Sequence, residues 1–348
     1  MSEIIDKYIG ENKVEDSLKE CLNSGNIYLG ILLSKIFGNT ENCNKILSEL
    51  ESKASMKQVR VKLLCTWCTS FKLVQCWNRM SKGNFTWNNI KIVWDDPADF
   101  YVIINSALEN AVYDKKKTII FQMEPNMNIN KELWKDWADP DPKDFLKICK
   151  HRDGEYNNNE WHLSKTYTQL CNEKIFKNPD YDNILSTVVS AKYYDIGHIK
   201  RIDFIKFLEQ KTTVHVYGNN KWNYKNYKGQ LPETCKYDGI LPYKYTFNAE
   251  NNDIPYYYTE KLIDCILGES LMFYWGCPNI HELIDPQAYV KLELSNFEKD
   301  YEIIMKAIKE DWHTQRLPYI REAKKKILND LQFFPRLERI LAEYKPEL

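Results

Sequence analysis

The chain has 348 residues, long enough for two domains of ordinary size and too long for one small one. Its 48 basic and 49 acidic residues nearly cancel, so no global field draws it to nucleic acid or to an anionic membrane. Hydrophobic residues make up 43% and aromatics 14%, sufficient for substantial cores, yet no apolar run approaches the ~20 residues of a membrane span. An N-terminal run of signal-peptide or anchor length is also missing, which predicts a soluble, cytoplasmic protein. Ten cysteines in such a chain read as thiols rather than a disulfide framework. Cys65-x-x-Cys68 has no second pair and lies in an apolar run, which suits buried thiols better than a metal site.

Residues 1–56 read as short amphipathic helices, with Tyr28, Ile31, Leu32 and Ile36 on one face and Ile46, Leu47 and Leu50 on the next. They form either a module for a protein partner or a cap on the first domain. From Val59 the pattern turns to strands: Val59–Cys65, Ile90–Trp94, Phe100–Ile104 and Thr118–Phe121, short and apolar between polar loops. Helical stretches between some of them predict an open α/β sheet. Asn126–Asn159, rich in Asp, Asn and Pro, reads as a long surface excursion. A helix is expected near Trp161–Lys174, and Asn178-Pro179-Asp180 marks a domain boundary.

A second α/β domain begins with the strand Ile184–Ser190. A loop through Gly197, a helix over Ile199–Leu208 and a strand Thr213–Tyr217 follow, making a β-loop-α-β unit. Tyr243–Ala249 is the next strand. Thr259 then caps a helix that starts at Glu260-Lys261, carries Leu262, Ile263, Ile266 and Leu267 as its buried stripe, and ends at Gly268. Leu271–Trp275 and Tyr289–Leu292 are further strands, and long helices over Glu298–Trp312 and Pro318–Ala342 close the chain. Lys115–Lys117 and Lys324–Lys326 read as solvated faces. The pattern alone supports two α/β domains.

Backbone N–H groups at the start of the helix at 260, with the Lys261 ammonium, form a natural phosphate site. The same stretch carries a family likeness. Phe247-x-x-Glu250-Asn251, then Tyr257-x-Thr259-Glu260-Lys261, then Tyr274-Trp275-Gly276 resembles the donor-binding signature of family 10 glycosyltransferases, the α1,3/α1,4-fucosyltransferases that use GDP-fucose. The likeness extends more weakly from about Lys57 to the C-terminus. It implies the GT-B architecture, two Rossmann-like domains facing a cleft with C-terminal helices; the helical extension of the first fifty-odd residues falls outside the likeness. The implied division is 1–56 extension, 57–180 acceptor domain, 181–315 donor domain and 316–348 C-terminal helix.

The resemblance also implies an inverting transfer of fucose from GDP-fucose to a hydroxyl of a glycan acceptor. The same fold and mechanism with another nucleotide sugar, or a non-catalytic glycan-binding scaffold on a decayed transferase fold, are the alternatives. GT-B enzymes neutralise the leaving diphosphate with Arg, Lys and helix N-termini, so neither a metal nor another cofactor is expected. In agreement, the nearest Asp-x-Asp, Asp139-Pro140-Asp141, has Pro on both sides of Asp141 and reads as a loop.

Arg201 stands where the family has its donor-phosphate arginine, and its planar fork can grip two phosphate oxygens. Lys261 would contact the same diphosphate, and Glu260 the ribose or sugar hydroxyls. Asn251 and Tyr257 match positions near diphosphate and sugar; Glu250 would bind ribose or orient Lys261. Glu124, in Phe121-Gln122-Met123-Glu124-Pro125 just past a strand end, is the expected general base, with Asp95 and Asp96 in reserve. His198 is read as a phosphate contact or a helix cap, and His162 as structural or an acceptor-side contact. Among the tryptophans, Trp134 and Trp137, in the polar excursion, are preferred over Trp67 as platforms for acceptor sugars.

Overall fold

The computed structural model of the protein describes residues 14–23, 27–37, 40–55, 58–124, 135–231 and 236–344. Three helices come first: α1 (Val14–Asn23), α2 (Ile27–Phe37) and α3 (Glu41–Ser55). Leu18, Cys21, Leu33, Cys43, Ile46 and Leu50 form a core of their own between them. Gly30 permits the close approach, because a Cβ there would meet Leu50 Cδ1 at 2.8 Å and Cys21 Cβ at 2.9 Å.

The first sheet contains β1 (Val59–Leu64), β2 (Thr86–Trp87), β3 (Ile90–Val93), β4 (Phe100–Ile104), β5 (Thr118–Gln122) and β6 (Lys147–Lys150), in the order β2-β3-β1-β4-β5-β6. All neighbours are parallel except the β2–β3 edge pair. Helix α4 (Ser70–Trp77), capped by Thr69 Oγ1, packs Leu73, Val74 and Trp77 onto this sheet. Strand β6 corrects the reading of 126–159 as one excursion. Its Lys-Ile-Cys-Lys sequence has too little apolar length to signal a strand, but Ile119–Gln122 pair with it in register. Beyond it, the helix expected near 161–174 is only α5 (Tyr167–Asn172), and Trp161 is fully buried.

The second sheet is wholly parallel, in the order β12-β11-β10-β7-β8-β9. Its strands are β7 (Leu185–Val189), β8 (Val214–Gly218), β9 (Tyr227–Gly229), β10 (Tyr245–Ala249), β11 (Leu271–Trp275) and β12 (Tyr289–Lys291). Helices α6 (Ile196–Leu208), α7 (Tyr237–Ile240) and α8 (Glu260–Leu267) connect them. Strands β10 and β11 are buried along their whole length, as continuous apolar runs covered on both faces must be. The chain thus holds two separate α/β sheets, the first parallel but for its β2–β3 edge and the second wholly parallel, as expected of two Rossmann-like domains.

Each sheet has a point where the connections diverge. From β7 the chain runs through α6 to β8 on one side; from β10 it runs through α8 to β11 on the other. In the first sheet β1 and β4 part in the same way. Crevices open outside the carboxyl ends of strands at such points.

After β12 come α9 (Phe297–Lys309), α10 (Trp312–Lys326), a π turn at Ile327–Leu331 and α11 (Phe333–Tyr344). The single helix expected over 318–342 is therefore two, broken so that α11 can return to the first sheet. There Phe333 meets Trp77 edge-on at 4.7 Å, Phe334 stacks on Trp87 at 5.8 Å, and Glu338 accepts from the Trp87 indole at 3.2 Å. Arg336 donates to Asn159 Oδ1 (2.8 Å) and Asn157 Oδ1 (3.2 Å). No described helix is long and apolar enough to cross a membrane.

Candidate active site

A cavity of about 440 Å³ opens at the β7/β10 divergence, lined by residues from 188–201, 218–231, Lys236, and 248–261. Arg201, expected on a phosphate, is on its wall and is almost wholly buried. Its Nη1 donates to the Ala249 carbonyl at 2.7 Å, and its buried Nε has no partner. Burial opposes its charge, and Glu250 and Glu260 are the nearest carboxylates acting on it without forming an ion pair. A buried guanidinium satisfied by a single carbonyl is costly unless an anion joins it.

Lys261 lines the same cavity. Thr259 caps α8 as its sequence requires, its Oγ1 accepting from the Lys261 backbone N–H at 3.3 Å and from its ammonium at 3.1 Å. The Lys261 ammonium lies 3.6 Å from Glu250 and 3.5 Å from Glu260. Of the two roles foreseen for Glu250, the structure displays the second. Its carboxylate is fully buried and accepts from the Thr259 amide (2.9 Å) and hydroxyl (2.6 Å), so it fixes the helix start and Lys261. The Gly276 of the signature makes room for it: φ is +154°, and a Cβ would stand 2.5 Å from Glu250 Cγ. Gly197 does the same for the facing loop, where a Cβ would fall 1.9 Å from the Glu250 carbonyl oxygen.

Asn251 and Glu260 are on the cavity wall. Burial works against the charge on Glu260, but Lys236, Lys261 and His162 overcome it and hold its pKa well below the usual carboxylate value. Lys236 was not foreseen. It lies 3.0 Å from Glu260 and 3.1 Å from the buried Asp264, and its neighbourhood carries no helical or strand signal to mark it. His198 also lines the cavity; its Nδ1 accepts from the Asp195 amide at 3.4 Å, which is the helix-cap role read for it. Burial, with Arg201 and Lys192 beside it, depresses its pKa to about 4, leaving a neutral ring with Nε2–H as the free donor. Tyr257 is buried and lines neither cavity, with its hydroxyl unpartnered and Glu250, Glu124, Glu260 and Arg201 all acting on it.

A second cavity, of about 380 Å³, opens outside β1, β4 and β5 of the first sheet. Glu124 lines it, together with Trp67, Cys68, Lys72, Arg79, Asn105, Glu160 and His162. Asn105, in the left-handed region at φ +59°, holds the Glu124 turn by accepting from the amides of Met123 (2.7 Å) and Glu124 (3.2 Å). The Glu124 side chain reaches solvent in the opening, yet the surrounding protein is dense enough that burial raises its pKa above the usual value. Lys261 opposes that rise and Glu260 adds to it, so the charges at the start of α8 reach Glu124.

Asp95 and Asp96 are corrected as reserve bases. They are engaged by Arg60 (3.1 Å) and Lys62 (2.6 Å) and line neither cavity. Trp137 is corrected as a platform, because it packs against Tyr113 and Phe145 in a hydrophobic cluster. Trp134 lies outside the described residues. Trp67, passed over in favour of these two, is 55% exposed on the cavity wall. Cys65 and Cys68 are free thiols with sulfurs 3.6 Å apart; Cys65 is buried as read, whereas Cys68 is only half-buried, beyond the end of β1.

Residues 181–316 match the family model described as glycosyltransferase family 10 (fucosyltransferase) C-term. No curated protein matches the chain. Among solved structures it is similar to an α1,3-fucosyltransferase, at 14% identity and a TM-score of 0.49, over 76% of this chain and 81% of that one. A second structure, of α1,3-fucosyltransferase with GDP, gives 15% identity and 0.45 over 79% and 92%. Anabaena Alr3699/HepE in complex with UDP-glucose gives 9% identity and 0.47 over 84% and 100%.

Proposed function

Because residues 181–316 match the model of glycosyltransferase family 10 (fucosyltransferase) C-term, we propose that the protein transfers fucose from GDP-fucose to a glycan hydroxyl with inversion. The observation that carries this reading is the convergence of Arg201 and Lys261 on one cavity, the former buried with an unpaired N–H. A pyrophosphate would supply what this wall lacks. Arg201, Lys261 and the first turn of α8 neutralise the leaving charge as the glycosidic bond breaks, without a metal. His198 adds a neutral donor, and Asn251 and Glu260 hold the donor's hydroxyls. The acceptor enters from residues 57–180 and rests in the cavity beside Trp67. Glu124 takes the proton of its hydroxyl as that oxygen attacks the anomeric carbon from the face opposite the diphosphate. Partial burial favours this role, because it lifts the carboxyl towards the pH at which it works.

The test is a melting-temperature panel with GDP, GDP-fucose and UDP-linked sugars, followed by a transfer assay. GDP compounds raise the midpoint of the wild type. Arg201→Ala and Lys261→Ala each weaken that response by roughly 10- to 100-fold in Kd, the size of a charge-assisted contact. A protein stabilised only by UDP-linked sugars would overturn the choice of donor. Equal binding by both variants would overturn the site.

A further inference from the structure

Among the described residues, His162 is the one that lines both cavities. It is held from two sides. Its backbone N–H donates to Asp264 Oδ1 at 2.7 Å, a carboxylate of the same helix that bears Glu260 and Lys261. Its Nε2 lies 3.4 Å from Glu160 Oε1, and Glu160 is itself fixed by the Trp77 indole N–H at 3.0 Å. The Nδ1 atom has no partner among the described residues. Around the ring stand Glu160 from its own segment and Glu260, Lys236 and Asp264 from the second lobe, with Glu124 on the facing wall.

A sugar in transit has its anomeric carbon between the leaving diphosphate and the attacking hydroxyl. Its ring must therefore occupy the boundary between donor and acceptor spaces. We propose that His162 is a sugar-binding residue of the transfer reaction, its imidazole fixed by Glu160 so that Nδ1 forms a hydrogen bond with a hydroxyl of the transferred sugar. Glu160 is then a positioning residue acting through His162. Burial disfavours the imidazolium, but Glu160 and Glu260 more than reverse this, so the ring keeps its second proton above the ordinary histidine range. In the charged ring both nitrogens donate, Nε2 to Glu160 and Nδ1 to the substrate; in the neutral ring Nδ1 accepts from the sugar hydroxyl instead. This inference rests on the proposed donor but concerns the sugar, whereas Arg201 and Lys261 concern the diphosphate.

The experiment compares GDP with GDP-fucose on the full chain. In the wild type, the His162 imidazole resonances shift on adding GDP-fucose and stay in place on adding GDP. His162→Ala weakens GDP-fucose about tenfold or more, the scale of one charge-assisted bond, and leaves GDP within about twofold. His162→Gln, which keeps a donor, recovers part of the loss. Glu160→Gln moves the imidazole titration to lower pH. Equal effects on both ligands, or none on either, would overturn the inference, and the wild-type spectra decide it even if the alanine variant does not fold. Binding with these signatures but no transfer would sink the proposed activity and leave the contact standing. Transfer unaffected by His162→Gln and His162→Ala would do the reverse.

Discussion

Glu124 and Arg201 set opposite problems for a single side chain. As the proposed base, the Glu124 carboxylate must be basic enough to take a proton, so burial that would weaken an ion pair helps it. Glu124→Gln keeps the shape and removes the base; transfer should fall by about 10²- to 10⁴-fold with GDP affinity unchanged, measured by turnover and calorimetry. The pH profile follows from the direction of its shift. The active form is the carboxylate and its pKa is raised, so kcat/KM should decline on acidification at a pH above the usual carboxylate range. An acid limb at or below about 4 would contradict this assignment. The guanidinium of Arg201 has the converse need, since burial penalises its charge, Glu250 and Glu260 offset that only in part, and an incoming anion would relieve the rest.

The start of α6 and the loop between β10 and α8 are one packed unit, joined where the Gly197 amide donates to the Asn251 carbonyl at 3.0 Å. Gly197→Ala puts a methyl into the Glu250 backbone and should destabilise the fold by at least about 1–3 kcal/mol, seen as a lower melting midpoint together with weaker GDP binding. This unit was the most legible part of the sequence because its determinants are local: the Thr259 cap, the apolar stripe ending at Gly268, and the alternating strand before them. Elements decided by distant partners were not legible. Strand β6 is defined by pairing to β5. The exchange between Trp67 and Trp137 turns on which side of the first sheet each loop lands, which residue type does not reveal. His162 gave no signal beyond its neighbours, since only the folded chain brings it to both cavities.

At the scale of the molecule, α11 joins the lobes by seating Phe333 and Phe334 on Trp77 and Trp87. Phe334 is fully buried. Phe334→Ala should therefore cost about 3–5 kcal/mol, although it lies far in sequence from the first sheet. If the lobes share this core, calorimetry will show the whole transition moving to lower temperature. An early, separate transition of the first lobe with the second unmoved would show that the seat matters to one lobe alone.

That seat also orders events at the ribosome. The first lobe is synthesised early, but the hydrophobic surface around Trp77 and Trp87 stays uncovered until residues 333–341 emerge. Nascent chains halted between the two lobes should expose that surface to chaperones, and translation of the final helix should release them.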